Sequence, residues 1–420
     1  MATKFPTVSW ASNAVMYEAN VRQYSKEGNF NTFQQHLPRL QQMGVSIIWL
    51  MPITPISYAL RQGSLGSYYA CSSYTKINPE FGTENDFKSL VNTAHQLGMK
   101  VIIDWVANHT GADHEWTINH KDFYILDEAG NFTERNGWHD VIDLNYNNAA
   151  MQDAMISAMQ YWITNFDIDG FRCDMAHLVP LNFWQKARTA CDVLKPLYWL
   201  AECEETEYHQ VFDTTYAWAL MHGWDSYAKH QTNIHAIYNI LHGYSQYPNG
   251  AKKLLFTSNH DENSWNGTEY EKYGTKTKAL AVFSFTWDGV PLIYSGQETA
   301  NKKRLKFFDK DEIEWKNDDL PLEKFYTTLS HLHQSKAICL GETFNLPTPQ
   351  DYVMAFLRKF EDEVVLVVLN LSNHDRVHLV VKHNWLHGTF TNIFSGLEFD
   401  FKGSETFELM ANDYLVYHKK

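Results

Sequence analysis

The sequence predicts an α/β fold: a closed (β/α)8 barrel with a small subdomain inserted after its third strand and an antiparallel β domain at its C-terminal end. Three observations lead there. A unit of amphipathic helix, glycine and short apolar run recurs through the first three hundred residues. Eight of those runs are continuously apolar, as parallel strands covered on both faces must be. From about Phe344 the pattern turns to period two.

The strand candidates begin near Ala14, Ser46, Lys100, Gly170, Tyr198, Thr214, Lys253 and Gly289. Eight such strands favour a closed barrel over an open doubly wound sheet. The helix before the third strand places Phe87, Leu90, Val91, Ala94 and Leu97 on one face and stops at Gly98. Phe33, Leu37, Leu40 and Met43 lead in the same way to Gly44 and Val45–Leu50, although Pro38 sits badly inside that helix. Met151, Met155, Met159, Trp162 and Phe166 precede the strand that ends Arg172-Cys173-Asp174.

Two segments break the alternation. Thr110 to about Asn145 is too long for an ordinary βα loop and reads as a subdomain over the barrel mouth. Tyr352–Leu357 and Glu363–Asn370 alternate as strands with no helix signal. The expected boundaries are 1–109 and 146–343 for the barrel, 110–145 for the insertion and 344–420 for a C-terminal β-sandwich.

At about 150 residues per domain, 420 residues accommodate this plan. A composition of 44% hydrophobic and 20% charged residues excludes disordered, collagen-like and coiled-coil chains. The 15% of aromatic residues exceeds what the core needs and leaves flat faces for sugars or bases. Charge separates the two. With 35 Lys and Arg against 49 Asp and Glu, a net charge of -14 repels a phosphate backbone, so no nucleic-acid partner is expected. Cys71, Cys173, Cys191, Cys203 and Cys339 form no CxxC pair and read as reduced thiols. The amino terminus shows no apolar signal region, and the apolar stretch Ala279–Tyr294 is broken by Asp288, Gly289 and Pro291. These features predict a soluble, cytoplasmic protein with no membrane partner.

In such a barrel the strand C-termini converge on one mouth. The third strand ends Asp104-Trp105-Val106-Ala107-Asn108-His109, the fourth Arg172-Cys173-Asp174, the fifth Ala201-Glu202 and the seventh Asn259-His260-Asp261. One carboxylate after a strand is usually a cap or a loop hydrogen-bonder. Four at equivalent ends, two beside His and one beside Arg, point to acid–base work on a neutral polyol. No GxxxxGK[ST] or GxGxxG phosphate-binding pattern is present. Glycoside hydrolysis with retention needs two carboxyl groups about 5 Å apart, and Asp174 and Glu202 on adjacent strands can satisfy that spacing.

These segments resemble the four conserved regions of the α-amylase family, glycoside hydrolase family 13. Supporting matches are Gly66-Ser67-Tyr68-Tyr69, Asn78–Thr83, Asp143-Leu144-Asn145 and Pro291–Glu298, and the likeness extends over essentially the whole chain. The resemblance implies Asp174 as nucleophile, Glu202 as general acid/base and Asp261 as the carboxylate that holds and distorts the sugar. Arg172, two residues before Asp174, is expected to favour its ionised form, while Glu202 must carry a proton to donate. The resemblance also implies His109 and His260 as hydroxyl binders and Tyr68 as the ring that stacks on the sugar. Tyr69, Trp105, Trp138 and Trp265 are further aromatic candidates.

The chain departs from the family pattern in places. Ser72-Ser73 precede Tyr74 where many relatives carry an Asp, and Met175-Ala176-His177-Leu178 replaces a run in which many α-amylases have Lys-His. His177 is a candidate for sugar binding, and Arg304 for a neighbouring glucose subsite. Asn108 and Asp143 match positions that ligate a structural calcium in some relatives; they equally suit pinning the insertion by hydrogen bonds. The pairs His331/His333 and His383/His387 need no metal, and no cofactor is required for the chemistry.

The expected activity is hydrolysis of α-1,4-glucosidic bonds in starch, maltodextrin or maltooligosaccharides through a glucosyl-Asp174 intermediate. The alternatives are a transglycosidase or phosphorylase of the same family, or a hydrolase for α-1,6 links, cyclodextrins or trehalose; Met175, at a position that often tracks linkage, matches none of the simple cases. A non-catalytic binding barrel is set aside because the three carboxylates are retained.

Overall fold

The protein was analysed as a computed structural model, in which residues 5–248, 250–315 and 320–420 are described. In chain order the strands are β1 (Met16–Ala19), β2 (Ile47–Leu50), β3 (Lys100–Trp105), then β4 (His109–Gly111) and β5 (Val141–Asp143) in the insertion. They continue with β6 (Gly170–Cys173), β7 (Tyr198–Ala201), β8 (Thr214–Tyr216), β9 (Lys252–Leu255) and β10 (Val290–Tyr294). The eight outside the insertion close a parallel barrel in the order β1-β10-β9-β8-β7-β6-β3-β2, and all eight expected strands are among them.

Alternate side chains along each strand enter two different cores, which is why the runs are apolar throughout. Met16, Ile47, Trp49, Ile102, Leu200, Tyr216, Leu254 and Leu292 fill the barrel. Tyr17, Ile48, Val101, Ile103, Phe171, Trp199 and Ile293 face the helices. The helix Glu84–Gln96 begins with a capping box between Thr83 and Asp86 and buries Phe87, Leu90, Val91 and Ala94. Pro38 is accommodated because two helices stand where one was expected: Phe30–Gln34 and Leu37–Gln42, with the proline in the first turn of the second.

Register positions the mouth. In the β3/β6 ladder Asp104 pairs with Arg172, and in the β6/β7 ladder Cys173 pairs with Ala201, so Asp174 and Glu202 leave neighbouring strands side by side. Gly170 makes that approach possible, since a Cβ there would lie 2.1 Å from the Tyr198 carbonyl oxygen. In the insertion, β4 and β5 form a two-stranded antiparallel sheet that sets His109 opposite Asp143.

The C-terminal strands are β11 (Glu342–Leu346), β12 (Val353–Phe360), β13 (Glu363–Asn370), β14 (Val377–Asn392), β15 (Glu398–Leu409) and β16 (Tyr414–Lys419). They form one six-stranded hydrogen-bonded sheet, in the order β11-β12-β13-β16-β14-β15, and Leu357 and Leu366 of one half share a buried core with Leu379 and Phe407 of the other. Continuity comes from β14. It pairs with β15 on both sides of a register shift between Lys382 and His387, and Thr391 and Asn392 beyond the shift also pair with β16, which joins the two halves. Phe356 of β12 packs on Trp287 of the barrel, with ring centroids 4.9 Å apart. Among the described residues no helix is long and apolar enough to cross a membrane.

Candidate active site

Arg172 is the centre of the mouth. Its side chain is fully buried, and its guanidinium lies 5.0 Å from the Trp49 ring centroid and 5.6 Å from that of Tyr216. From there it reaches three carboxylates. Nη1 donates to Asp104 Oδ1 and Asp174 Oδ1, each at 2.9 Å, and Nη2 lies 2.7 Å from Glu202 Oε2. A planar fork holds its carboxylates along fixed donor directions, which the compact, freely rotating ammonium of a lysine does not.

Three acids against one guanidinium leave the cluster over-supplied with negative charge. Burial, followed by the neighbouring Glu202 and Asp104 carboxylates, pushes the Asp174 carboxyl well above its ordinary range despite the opposing Arg172. Burial likewise lifts Asp104 to about 6, again against Arg172 and His260. Arg172 does favour the ionised form of Asp174, as expected, but desolvation and like charge outweigh it.

Next to the nucleophile position, Met175 has a left-handed backbone, φ +40°, a strained conformation for a bulky residue. The turn aims the Met175 N–H at Glu202 Oε2, 2.9 Å away, so the residue after one acid orients the other.

A second charged group faces the first. His260 Nδ1 lies 2.5 Å from Glu18 Oε1, and its Nε2 lies 3.2 Å from Asp261 Oδ2 and 2.7 Å from the Tyr69 hydroxyl. Burial disfavours the His260 cation, but Asp261 and Glu18 outweigh it and hold the imidazole well above its usual pKa. Desolvation disfavours the Asp261 carboxylate, and the His260 charge prevails there too, so Asp261 is held low. Tyr69 joins both groups by donating to Asp104 Oδ2 at 3.0 Å. By contrast His109 is pushed down to about 4 by burial and stays neutral.

Of these groups, Tyr69, His109, Asp174, Met175, Glu202 and Asp261 line a cavity of about 330 Å³, together with Gln62, Ser67, Trp138–Val141, Trp265, Phe307 and Phe308, while Arg172, Asp104, His260 and Glu18 lie behind them. Asp174, Glu202 and Asp261 converge on it from the barrel, and Tyr69, Trp138, Trp265, Phe307 and Phe308 give it aromatic walls, the form of a small-ligand site. Residues 12–320 match the family described as "Alpha amylase, catalytic domain".

The chain belongs to the α-amylase family. Residues 344–416 match "Maltogenic Amylase, C-terminal domain". The noncanonic maltogenic alpha-amylase AmyB from Thermotoga neapolitana is 30% identical, with a TM-score of 0.90 over 97% of this chain and 99% of that one. An alpha-amylase from Lactobacillus plantarum is 27% identical, with a TM-score of 0.89 over 98% of this chain and 100% of that one. The Alpha-amylase MalA of Haloarcula japonica is 26% identical over 87% of this chain; the match spans 56% of that protein's length.

Several residues matched to α-amylase positions lie elsewhere. Tyr68 is 1% exposed and sits under the Arg22 guanidinium, 4.2 Å from its ring centroid, so it offers no face to a sugar. The neighbouring Tyr69 takes the cleft position, stacked on His260 at 5.4 Å. Adjacent identical residues gave the sequence no means of choosing between the two. His177 is exposed and Arg304 is half-exposed, paired with Glu271 at 2.8 Å; neither lines the cavity. Trp105 is buried against Tyr74 and Phe171. Trp138 and Trp265 do line the cavity, and the Trp265 side chain hydrogen-bonds Asp261.

Asn108 and Asp143 stand at the root of the insertion, one just before β4 and the other at the end of β5. Asp143 is fully buried, but its Oδ2 accepts from Arg135 Nε at 2.7 Å. The Asn108 amide faces His109 Nδ1 at 3.2 Å. Calcium takes six to eight oxygen ligands, and a guanidinium already neutralises the one charged ligand here. Among the described residues no cluster of three or more His, Cys, Asp or Glu is placed to hold a metal. Arg135 thus pins one Asp143 oxygen, while Asp143 Oδ1 is buried with no hydrogen-bond partner.

Proposed function

We propose that the protein is a retaining α-glucan hydrolase that cleaves α-1,4-glucosidic bonds in maltooligosaccharides, maltodextrin or starch. The carrying observation is the Arg172 fork, which holds Asp174 and Glu202 on the two terminal nitrogens of one guanidinium. Double displacement needs two carboxyl groups this close, on either side of the scissile bond. Asp174 attacks the anomeric carbon while Glu202 protonates the departing glycosidic oxygen. Glu202 then takes a proton from water, which attacks the glucosyl-Asp174 ester and releases the sugar with its configuration retained.

Supporting groups follow from the charge pattern. Asp261, kept ionised by His260, accepts sugar hydroxyls and stabilises the oxocarbenium-like charge; neutral His109 hydrogen-bonds a hydroxyl without adding charge. Tyr69 supplies the stacking face. Trp138–Val141 of the insertion and Trp265, Phe307 and Phe308 wall the cavity that receives the sugar. Arg135 serves Asp143 as a counter-charge.

The direct test is to trap the intermediate with a 2-deoxy-2-fluoro glucosyl donor carrying a good leaving group, digest, and map the label. It is expected on Asp174; label on any other residue would sink the assignment. Chromatography of products from maltoheptaose, cyclodextrin, isomaltose and trehalose then fixes linkage and length.

A further inference from the structure

Glu18 takes no part in the chemistry above, although it stands on β1 between β2 and β10 and closes the far side of His260. It is fully buried and does not line the cavity. A carboxylate so placed is costly unless the protein answers its charge, and its ionic contact among the described residues is His260, with Nδ1 2.5 Å from Oε1.

Hydrogen-bond accounting gives the state of that ring. The single proton of the Tyr69 hydroxyl goes to Asp104 Oδ2 at 3.0 Å, so the Tyr69 oxygen 2.7 Å from His260 Nε2 accepts there, as does Asp261 Oδ2 at 3.2 Å. Nε2 must therefore donate. On the other side Glu18 Oε1 faces both Nδ1, at 2.5 Å, and the His260 peptide N–H, at 3.4 Å, a pair of donors that suits a carboxylate oxygen and leaves Nδ1 donating as well. A histidine that donates through both nitrogens is an imidazolium. The groups around it agree in sign: Glu18 faces it from β1, Tyr69 from the loop after β2, Asp104 from β3 and Asp261 from its own loop, while Trp49 and Phe307 add rings without charge. Arg172 acts on Asp104 and Asp261 from beyond them, and the phenols of Tyr216 and Tyr294 stand by Glu18.

We propose that Glu18 is a positioning residue of the active site, which holds His260 through Nδ1–H as an imidazolium and so sets the charge and direction of the Nε2–H that faces Asp261. This rests on the α-glucan reading above. The partner of one ring nitrogen decides what the other presents, and here the partner comes from β1 while the ring serves a carboxylate in the loop after β9. Without the Glu18 charge one of the two flanking anions is gone. His260 should then release its proton at lower pH, and Asp261 would face a neutral ring.

Glu18→Gln tests this, because it keeps the shape and an acceptor oxygen and removes the charge. In protein labelled with 15N-histidine, with the His260 signals assigned by their loss in His260→Gln, both ring nitrogens of wild type are expected to stay protonated from about pH 6 to about pH 8, whereas an ordinary histidine titrates near about 6.5. In Glu18→Gln the ring should titrate at least about one unit lower than in wild type. Turnover of α-maltosyl fluoride, whose fluoride departs with little help from an acid and so keeps Glu202 out of the alkaline limb, should report the same change: kcat/KM is expected to fall roughly tenfold or more at about pH 8.5 and clearly less at about pH 5.5. A loss of equal size at every pH would make Glu18 a packing residue only and overturn the proposal. A His260 that is neutral in wild type at about pH 7 would overturn it too, and that reading decides even if Glu18→Gln does not fold. A wild type whose His260 titrates as described but which turns over no α-glucoside overturns the α-glucan reading instead.

Discussion

Arg172 Nη1 lies 2.9 Å from Asp174 Oδ1 while the same nitrogen holds Asp104 Oδ1 at 2.9 Å, so the nucleophile candidate is fixed by a donor it shares with a second acid. The other terminal nitrogen lies 2.7 Å from Glu202 Oε2 as a charge contact, and the Met175 N–H supplies the hydrogen bond that orients that carboxylate. One fully buried side chain therefore sets the relative positions of Asp104 and Asp174 and keeps its charge beside Glu202.

Arg172→Lys should show this. A lysine keeps the charge but loses the fixed donor directions, and a hydrogen bond to a charged group is worth about 1.5–3 kcal/mol. At 1.4 kcal/mol per tenfold this predicts a loss in kcat of roughly ten- to a hundredfold with the circular dichroism of the barrel retained. A variant within tenfold of wild type would show that the fork does not position the acids.

The charge excess predicts the pH profile. Asp174 must be ionised to attack, and its carboxyl is raised by burial and by Glu202 and Asp104, so the acid limb of kcat/KM should lie well above the usual carboxylate value near 4. Asp104→Asn removes one of the neighbouring negative charges and should move that limb to lower pH. The sign for stability is opposite to that of an ordinary salt-bridged acid. A carboxyl raised in the folded state binds its proton more tightly there than in the unfolded chain, so stability falls as pH rises from about 4 through the folded value. Asp174→Asn is accordingly expected to melt higher than wild type at pH 8, read by calorimetry, although it has lost turnover.

How much of this was legible depends on how local each signal is. The barrel could be read because both faces of its strands are buried, and the acids because each closes a strand. Interactions between distant segments could not. Tyr68 and Tyr69 are alike in sequence, and only the packing of Arg22, 46 residues before Tyr68, turns one of them inward. The Asp143 partner, Arg135, lies in an insertion with little periodicity, where no pattern gives side-chain direction. The joined C-terminal sheet turns on a register shift inside β14, which period-two reading does not resolve.

The Arg135–Asp143 contact predicts the response to metal removal. If a guanidinium serves where an ion would, a chelator should leave the melting temperature and turnover unchanged, and added calcium should not raise either. Arg135→Ala should destabilise instead, by about 1–3 kcal/mol, because the fully buried Asp143 carboxylate loses its charged donor. A chelator-induced fall in melting temperature of wild type would show that an ion is bound after all.

Tyr69 and Tyr68 offer a paired comparison, since they differ in position and in little else. The Tyr69 hydroxyl donates to Asp104 and meets His260, linking the Arg172 cluster to the pair that holds Asp261. Hydrogen bonds to charged groups contribute about 1.5–3 kcal/mol, so Tyr69→Phe should lower kcat/KM on maltotriose roughly ten- to a hundredfold, and Tyr69→Ala further, as the stacking face is lost with it. Tyr68 keeps its contact with Arg22 through the ring, which phenylalanine retains, so Tyr68→Phe should leave kcat/KM within a few-fold of wild type. The reverse ranking, with Tyr68→Phe the more damaging to turnover in folded protein, would return the stacking role to Tyr68 and require the loop after β2 to move when sugar binds.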